Sequence, residues 1–145
     1  SPQIIFDKRL EIHLGGVTCM IEHVGGDHAE DSTIIYIPEE KILFLGDCLY
    51  ANLYSEKWNY TVEKSLKLIS RLETYEAETI CLSHHQSPLT KEEFQKELYV
   101  MKHTAELTKK YEGNKQTIEQ ELSQLLDRTL NEEELNTVEF FVNGV

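Results

Sequence analysis

The sequence predicts an α/β chain of the α+β kind, in which a mostly antiparallel or mixed sheet comes first, one crossover helix follows, and a helical tail ends the chain. Three observations point there. Residues 1–50 are short segments rich in Ile, Val, Phe and Tyr, divided by Gly-Gly and Pro-Glu-Glu turn signals. Residues 59–75 change period, with Val62, Leu66, Ile69 and Leu72 at helical spacing, before ETICLS returns to a short buried strand. Past residue 89, three segments each open on a capping pair.

Taken in order, the expected strands are QIIFD, LEIHL, VTCMIEHV, STIIYIP and KILFLGD. Side chains alternate along a strand, so Val17, Cys19, Ile21 and His23 share one face of the third. The last two lack alternation, the pattern of strands covered on both faces inside a layered structure. The helix over 59–75 and the strand ending at His84 complete a strand, helix, strand unit. Thr90 with Glu93 opens a helix whose stripe is Phe94, Leu98, Met101 and Ala105, ending near Lys110 where YEGNK breaks it. Thr117 with Gln120 is expected to open the next, with Ile118, Leu122 and Leu125 inward. Asn131 with Glu134 opens the last, carrying Leu135, Val138 and Phe141. Glu132 to Glu134 suit the positive end of its dipole. The closing FFVNGV either docks back or meets a partner.

Composition narrows the function classes. The chain has 14 basic and 26 acidic side chains, a net charge of −12, which repels phosphate backbones and anionic lipids. A nucleic-acid partner and a membrane partner are therefore not expected. No apolar run reaches the roughly 20 residues that cross a bilayer. Cys19, Cys48 and Cys81 are odd in number, show no C-x-x-C spacing and sit in apolar runs, which reads as small buried hydrophobes in a reducing, cytoplasmic setting.

Six histidines are present, at 13, 23, 28, 84, 85 and 103. His13 and His23 lie within strands and read as histidines satisfied by a neighbouring carbonyl or by solvent, and His103 reads as a solvated helix residue. His28 sits on the glycine-rich loop GGDHAEDS, and His84 and His85 follow a strand end, where a rigid sheet presents working groups. Asp47 joins them after Gly46: a carboxylate following four apolar residues must reach solvent, a cap or a cation, because burying it alone is too costly. Imidazole and carboxylate are zinc ligands in hydrolytic sites. The intervals of 19 and 37 residues that separate His28, Asp47 and His84 leave a metal site and ordinary polar roles equally open.

GGDHAEDSTIIYIPEEKILFLGD followed by TICLSHHQSP resembles the second half of the metallo-β-lactamase superfamily, with LFLGD its most specific part, over residues 10–90. The resemblance implies half of an αββα sandwich, with helices on one face of the sheet: residues 1–90 as the C-terminal half-domain, and residues 91–145 as a helical extension packed on the same domain. It implies His28 as the third histidine of a first zinc site, Asp47 as the catalytic carboxylate bridging two metals, and His84 as a ligand of the second. Asp31 occupies a place where similar proteins often have a supporting acid. The final motif reads Ser83-His84-His85 rather than Gly-His and a small residue, so His85 stands as neighbour or substitute. Cys48, beside Asp47, reads as packing, although some relatives use cysteine as a ligand near this point.

The family signature H-x-H-x-D-H is not found before His28. With the Ser1-Pro2 start, this gives the expectation that the chain is the C-terminal portion of a longer protein. That parent is expected to be a zinc-dependent, dinuclear hydrolase, with iron or manganese as other metals, that cleaves an ester, thioester or amide of a small molecule through metal-activated hydroxide. The chain by itself is expected to be inactive. The competing expectation is a non-catalytic assembly module. A half-sandwich leaves an apolar sheet face open, so pairing with itself or a partner is expected.

Overall fold

The computed structural model describes residues 1–145. Its elements run β1 (Arg9–His13), β2 (Thr18–His23), β3 (Thr33–Ile37), β4 (Ile42–Gly46), α1 (Val62–Leu72), β5 (Thr79–Leu82), β6 (Leu89–Thr90), α2 (Lys91–Lys110), α3 (Lys115–Leu126) and α4 (Glu132–Asn143). The six strands form one sheet in chain order. Every pairing is antiparallel except β4 with β5, which the α1 crossover makes parallel. The mixed sheet followed by helices agrees with the fold class read from the sequence.

Register divides the sheet into two faces. Met20, Tyr36, Leu43, Ile80 and Leu89 are successive cross-strand partners, so they share the face under α1 and α2. There Ile34, Leu43, Leu45 and Ile80 pack against Leu68, Ile69 and Leu72 of α1 and against Phe94 and Leu98 of α2. Fully burying one such side chain contributes roughly 1.5–3 kcal/mol. Leu10, Ile21, Ile35, Phe44 and Cys81 are partners in the same way on the opposite face, where Phe44 remains 39% exposed and Ile12 37%. The expectation that β3 and β4 are covered on both faces is thus corrected: their unbroken apolar runs cover one face with helices and leave a second apolar face open. Cys19 and Cys81 lie half-buried rather than buried on that face, and all three cysteines are free thiols.

Four features differ from the sequence reading. QIIFD is not a strand, and Ile4 and Ile5 are exposed, because the sheet begins at Arg9 and offers the first residues no partner. The α1 helix is shorter than residues 59–75, and the two-residue β6 was not expected. The α3 helix starts at Lys115 because Asn114 is its N-cap and accepts from the Thr117 N–H at 3.1 Å, so Thr117 lies inside the first turn. The capping boxes at Thr90–Glu93 and Asn131–Glu134 are both present.

The tail docks back onto the molecule. Ile118 and Leu122 of α3 meet Val138 of α4, and all three are fully buried. Phe141 is fully buried, the Tyr60 N–H donates to the Phe140 carbonyl at 3.0 Å, and Asn143 Nδ2 donates to the Trp58 carbonyl at 3.0 Å. These contacts tie α4 to the segment after β4, the segment that also builds the candidate site.

Candidate metal site at the strand-end rim

Two glycines bring the rim together. Gly46 adopts φ +55, and the β4–β5 register slips between Phe44 and Gly46, which turns Asp47 out of the sheet. Gly26 has φ +127, and a Cβ there would stand 2.9 Å from the Cys48 carbonyl oxygen, so only glycine lets the His28 loop lie against the turn holding Asp47. Asp27 then anchors this loop: its Oδ2 accepts from the Thr61 N–H at 2.8 Å and from Ser65 Oγ at 3.3 Å. Thr61, the N-cap of α1, uses no side-chain cap of its own, so a distant carboxylate takes that role at the positive end of the helix.

Asp47 lies between two imidazoles. His28 Nε2 is 3.8 Å from its Oδ2, and His84 Nε2 is 3.4 Å from its Oδ1. His28 is well covered, at 16% exposure, whereas His84 is open to solvent at 77%. The other ring nitrogen of His28, Nδ1, lies 3.0 Å from the Ala51 carbonyl, which can only accept; Nδ1 therefore carries a proton, and Nε2 is the ring nitrogen on the side of Asp47. Asp47 Oδ1 is shielded from solvent and accepts no hydrogen bond. Such an oxygen is costly unless something else neutralises it.

The structure brings His28, Asp47 and His84 to one rim as two pairs sharing the carboxylate, and no three His, Cys, Asp or Glu side chains converge on a single point. Adjacent ligands of a tetrahedral ion bound at about 2.0–2.2 Å lie about 3.3–3.6 Å apart. The 3.4 Å separation at His84 is of this size, the 3.8 Å separation at His28 is longer, and neither pair is joined by a third donor. His84 adopts φ +64, a left-handed conformation unusual outside glycine and concentrated at working sites. His85 makes no ion pair with Asp47, and its Nδ1 is 3.4 Å from the Tyr50 hydroxyl. Asp31 is exposed and makes no side-chain contact with these groups. Burial, and then the charge of Asp47, push the Cys48 thiol up to about 12; it stays protonated and packs in the core. His23 keeps a structural role, its Nε2 donating to the Glu30 carbonyl at 2.7 Å.

Two contributors escape sequence reasoning. Tyr50 sits edge-on to His28, with ring centroids 6.1 Å apart, and 5.7 Å from His84, and its hydroxyl donates to the Ser83 carbonyl. Burial, and then Asp47, raise its pKa, so it remains a donor. Asp27 works through Thr61, 34 residues away. Neither leaves a periodic or motif signal, although Asp27 stands beside His28 in the loop.

No family model and no curated protein matches the sequence. Solved structures do match. A metallo-β-lactamase from Pontibacter korlensis aligns at TM-score 0.53 and 25% identity over 68% of this chain and 48% of its own. An archaeal metallo-β-lactamase superfamily protein from Sulfolobus tokodaii aligns at 0.55 and 16% identity over 97% of this chain and 50% of its own. A stereoselective inverting sec-alkylsulfatase from a Pseudomonas species aligns at 0.56 and 18% identity over 76% and 19%. The chain thus spans half or less of the length of these proteins. With a six-stranded mixed sheet, helices on one of its faces and the rim built by the β4 and β5 ends, the chain has a metallo-β-lactamase-like fold.

Proposed function

We propose that His28, Asp47 and His84 are metal ligands of a hydrolytic site and that zinc is the metal: His28 and Asp47 would hold one ion, and Asp47 and His84 a second. Iron and manganese accept the same imidazole and carboxylate donors. Asp47 carries this reading: its shielded Oδ1 has no hydrogen bond, while one imidazole nitrogen faces each carboxylate oxygen. When bound, zinc supplies a Lewis acid that makes hydroxide available near neutral pH and polarises an acyl oxygen. The chain's own residues prepare the place: Ala51 fixes the His28 tautomer, Asp27 fixes its loop, and Tyr50 holds the segment carrying His84. The reaction is hydrolysis of an ester, thioester or amide in a small molecule. A catalytic zinc takes three protein ligands, so the two that this chain offers to each ion leave the isolated chain inactive.

Calorimetric titration of zinc into the chain tests this reading. Binding is expected, with affinity falling more than about 100-fold in Asp47→Asn, since partners that only orient a ligand already change affinity about 10- to 100-fold. His84→Ala should weaken binding and His85→Ala should not. Equal affinity in wild type and Asp47→Asn overturns the proposal.

The open sheet face favours a second reading, a non-catalytic module for assembly. Leu10, Ile12, Ile21, Ile35 and Phe44 form an apolar surface there that supports pairing with another copy of the chain. Sedimentation is expected to detect a dimer that Phe44→Glu dissociates; a strict monomer at hundreds of micromolar rejects self-pairing. No helix is long and apolar enough to cross a membrane, and the three free cysteines support a reducing, cytoplasmic setting.

A further inference from the structure

A cavity of about 470 Å³ lies between α2, α4 and the segments that follow β4 and β5. Its size is that of a small-molecule pocket. It shares Tyr50 with the rim, where that ring packs against His28 and His84, so a molecule held at the rim can extend into it. Leu49, Leu82, Met101 and Phe140 give it apolar walls.

The polar lining is unevenly charged. Arg128 is engaged by Glu134 through two hydrogen bonds of 2.9 and 2.5 Å, which removes both from the balance. Glu97 and Glu133 remain, and neither carboxylate makes an ion pair or a hydrogen bond; Lys96 is the only other cation in the lining. We propose that this cavity receives the part of the substrate that joins an apolar chain to a cationic amino group, the chain lying on Met101 and Phe140 and the ammonium between Glu97 and Glu133. Burial raises the Glu97 pKa, Glu133 and Glu93 add to this and His85 opposes it, so an incoming cation relieves a carboxylate that its surroundings disfavour. The inference rests on the hydrolytic reading only in calling the ligand a substrate.

The test needs no metal. Hexylammonium, hexanoate and hexanol are titrated separately into the full 145-residue chain while the Met101 and Leu82 methyl signals are followed by NMR. Hexylammonium is expected to shift both saturably and to bind about fivefold or more tighter than hexanoate, the size of two partly exposed ion pairs. Replacing both acids, as Glu97→Gln with Glu133→Gln, should remove that preference and leave hexanol unchanged. Tightest binding by hexanoate with its loss in Lys96→Gln, equal binding of all three, or no saturable shift overturns the proposal. Since zinc is absent, failure here with zinc binding intact removes only the substrate class, and failure of zinc to bind leaves the cavity result standing.

Discussion

Asp47 and Glu134 are carboxylates placed beside groups that can carry positive charge, and the fold treats them in opposite ways. Glu134 is buried at the start of α4 and accepts four hydrogen bonds, two from Arg128, one from the Asn131 N–H and one from Asn131 Nδ2. The Arg128 hydrogen bonds hold its pKa below the ordinary glutamate value. Asp47 stands between two imidazoles, yet its shielded Oδ1 accepts nothing. A carboxylate whose every oxygen is used stabilises the fold. One whose shielded oxygen accepts nothing, with its nearest imidazole nitrogen 3.4 Å away, does not stabilise the fold in that way.

The contrast is sharpest in stability. Asn131→Ala removes one helix cap, a loss of about 1 kcal/mol. Glu134→Ala removes the reciprocal half of the same capping box together with the bidentate Arg128 contact, so thermal unfolding should show a larger fall in Tm. Asp47→Asn should leave Tm unchanged or raise it, because it neutralises a carboxylate whose shielded oxygen is unsatisfied. A fall in Tm as large as that of Glu134→Ala would make Asp47 a structural residue and break the comparison.

The same difference has a pH signature. Glu134 is depressed in the folded chain, so its contribution is fully present above the unfolded glutamate value of about 4.3 and is lost as pH falls through the lower folded value. The stability gap between wild type and Glu134→Gln is expected to be constant near neutral pH and to close in acid. Denaturant melts at a series of pH values measure it, and a gap that widens in acid contradicts the pairing with Arg128.

How legible these regions are in the sequence follows from how local their determinants are. Asn131 and Glu134 stand three residues apart, and α4 begins where that spacing places it. The crossover helix and the strands within KILFLGD and ETICLS are equally visible, although the second ends at Leu82 and not at His84, because burial of one helix stripe and of short apolar runs leaves a pattern but no exact boundary. His28, Asp47 and His84 could be nominated as residue types on loops, and the fold resemblance ordered them. Their meeting depends on Gly26 and Gly46 taking positive φ and on Asp27 reaching Thr61, contacts between segments 34 and fewer residues apart that no local pattern encodes. QIIFD failed for the converse reason: its composition suits a strand, but no neighbouring strand pairs with it.

Tyr50 gives the finest distinction between a group that builds the rim and one that works in it. Its ring packs between His28 and His84, and its hydroxyl donates to the Ser83 carbonyl one residue before His84. Tyr50→Phe keeps the ring and deletes that bond, with a typical net loss of about 0.5–1.5 kcal/mol. If the bond's role is to hold His84 toward Asp47, the loss should appear in zinc affinity as a decrease of up to about tenfold, with little change in Tm. If the bond only braces the segment after β5, Tm should fall and zinc affinity should stay constant. Titrating zinc into this variant and melting it without metal separate the two outcomes, because His84 is 77% exposed and its orientation adds little to the core, whereas Asp47 and a bound ion would depend on it.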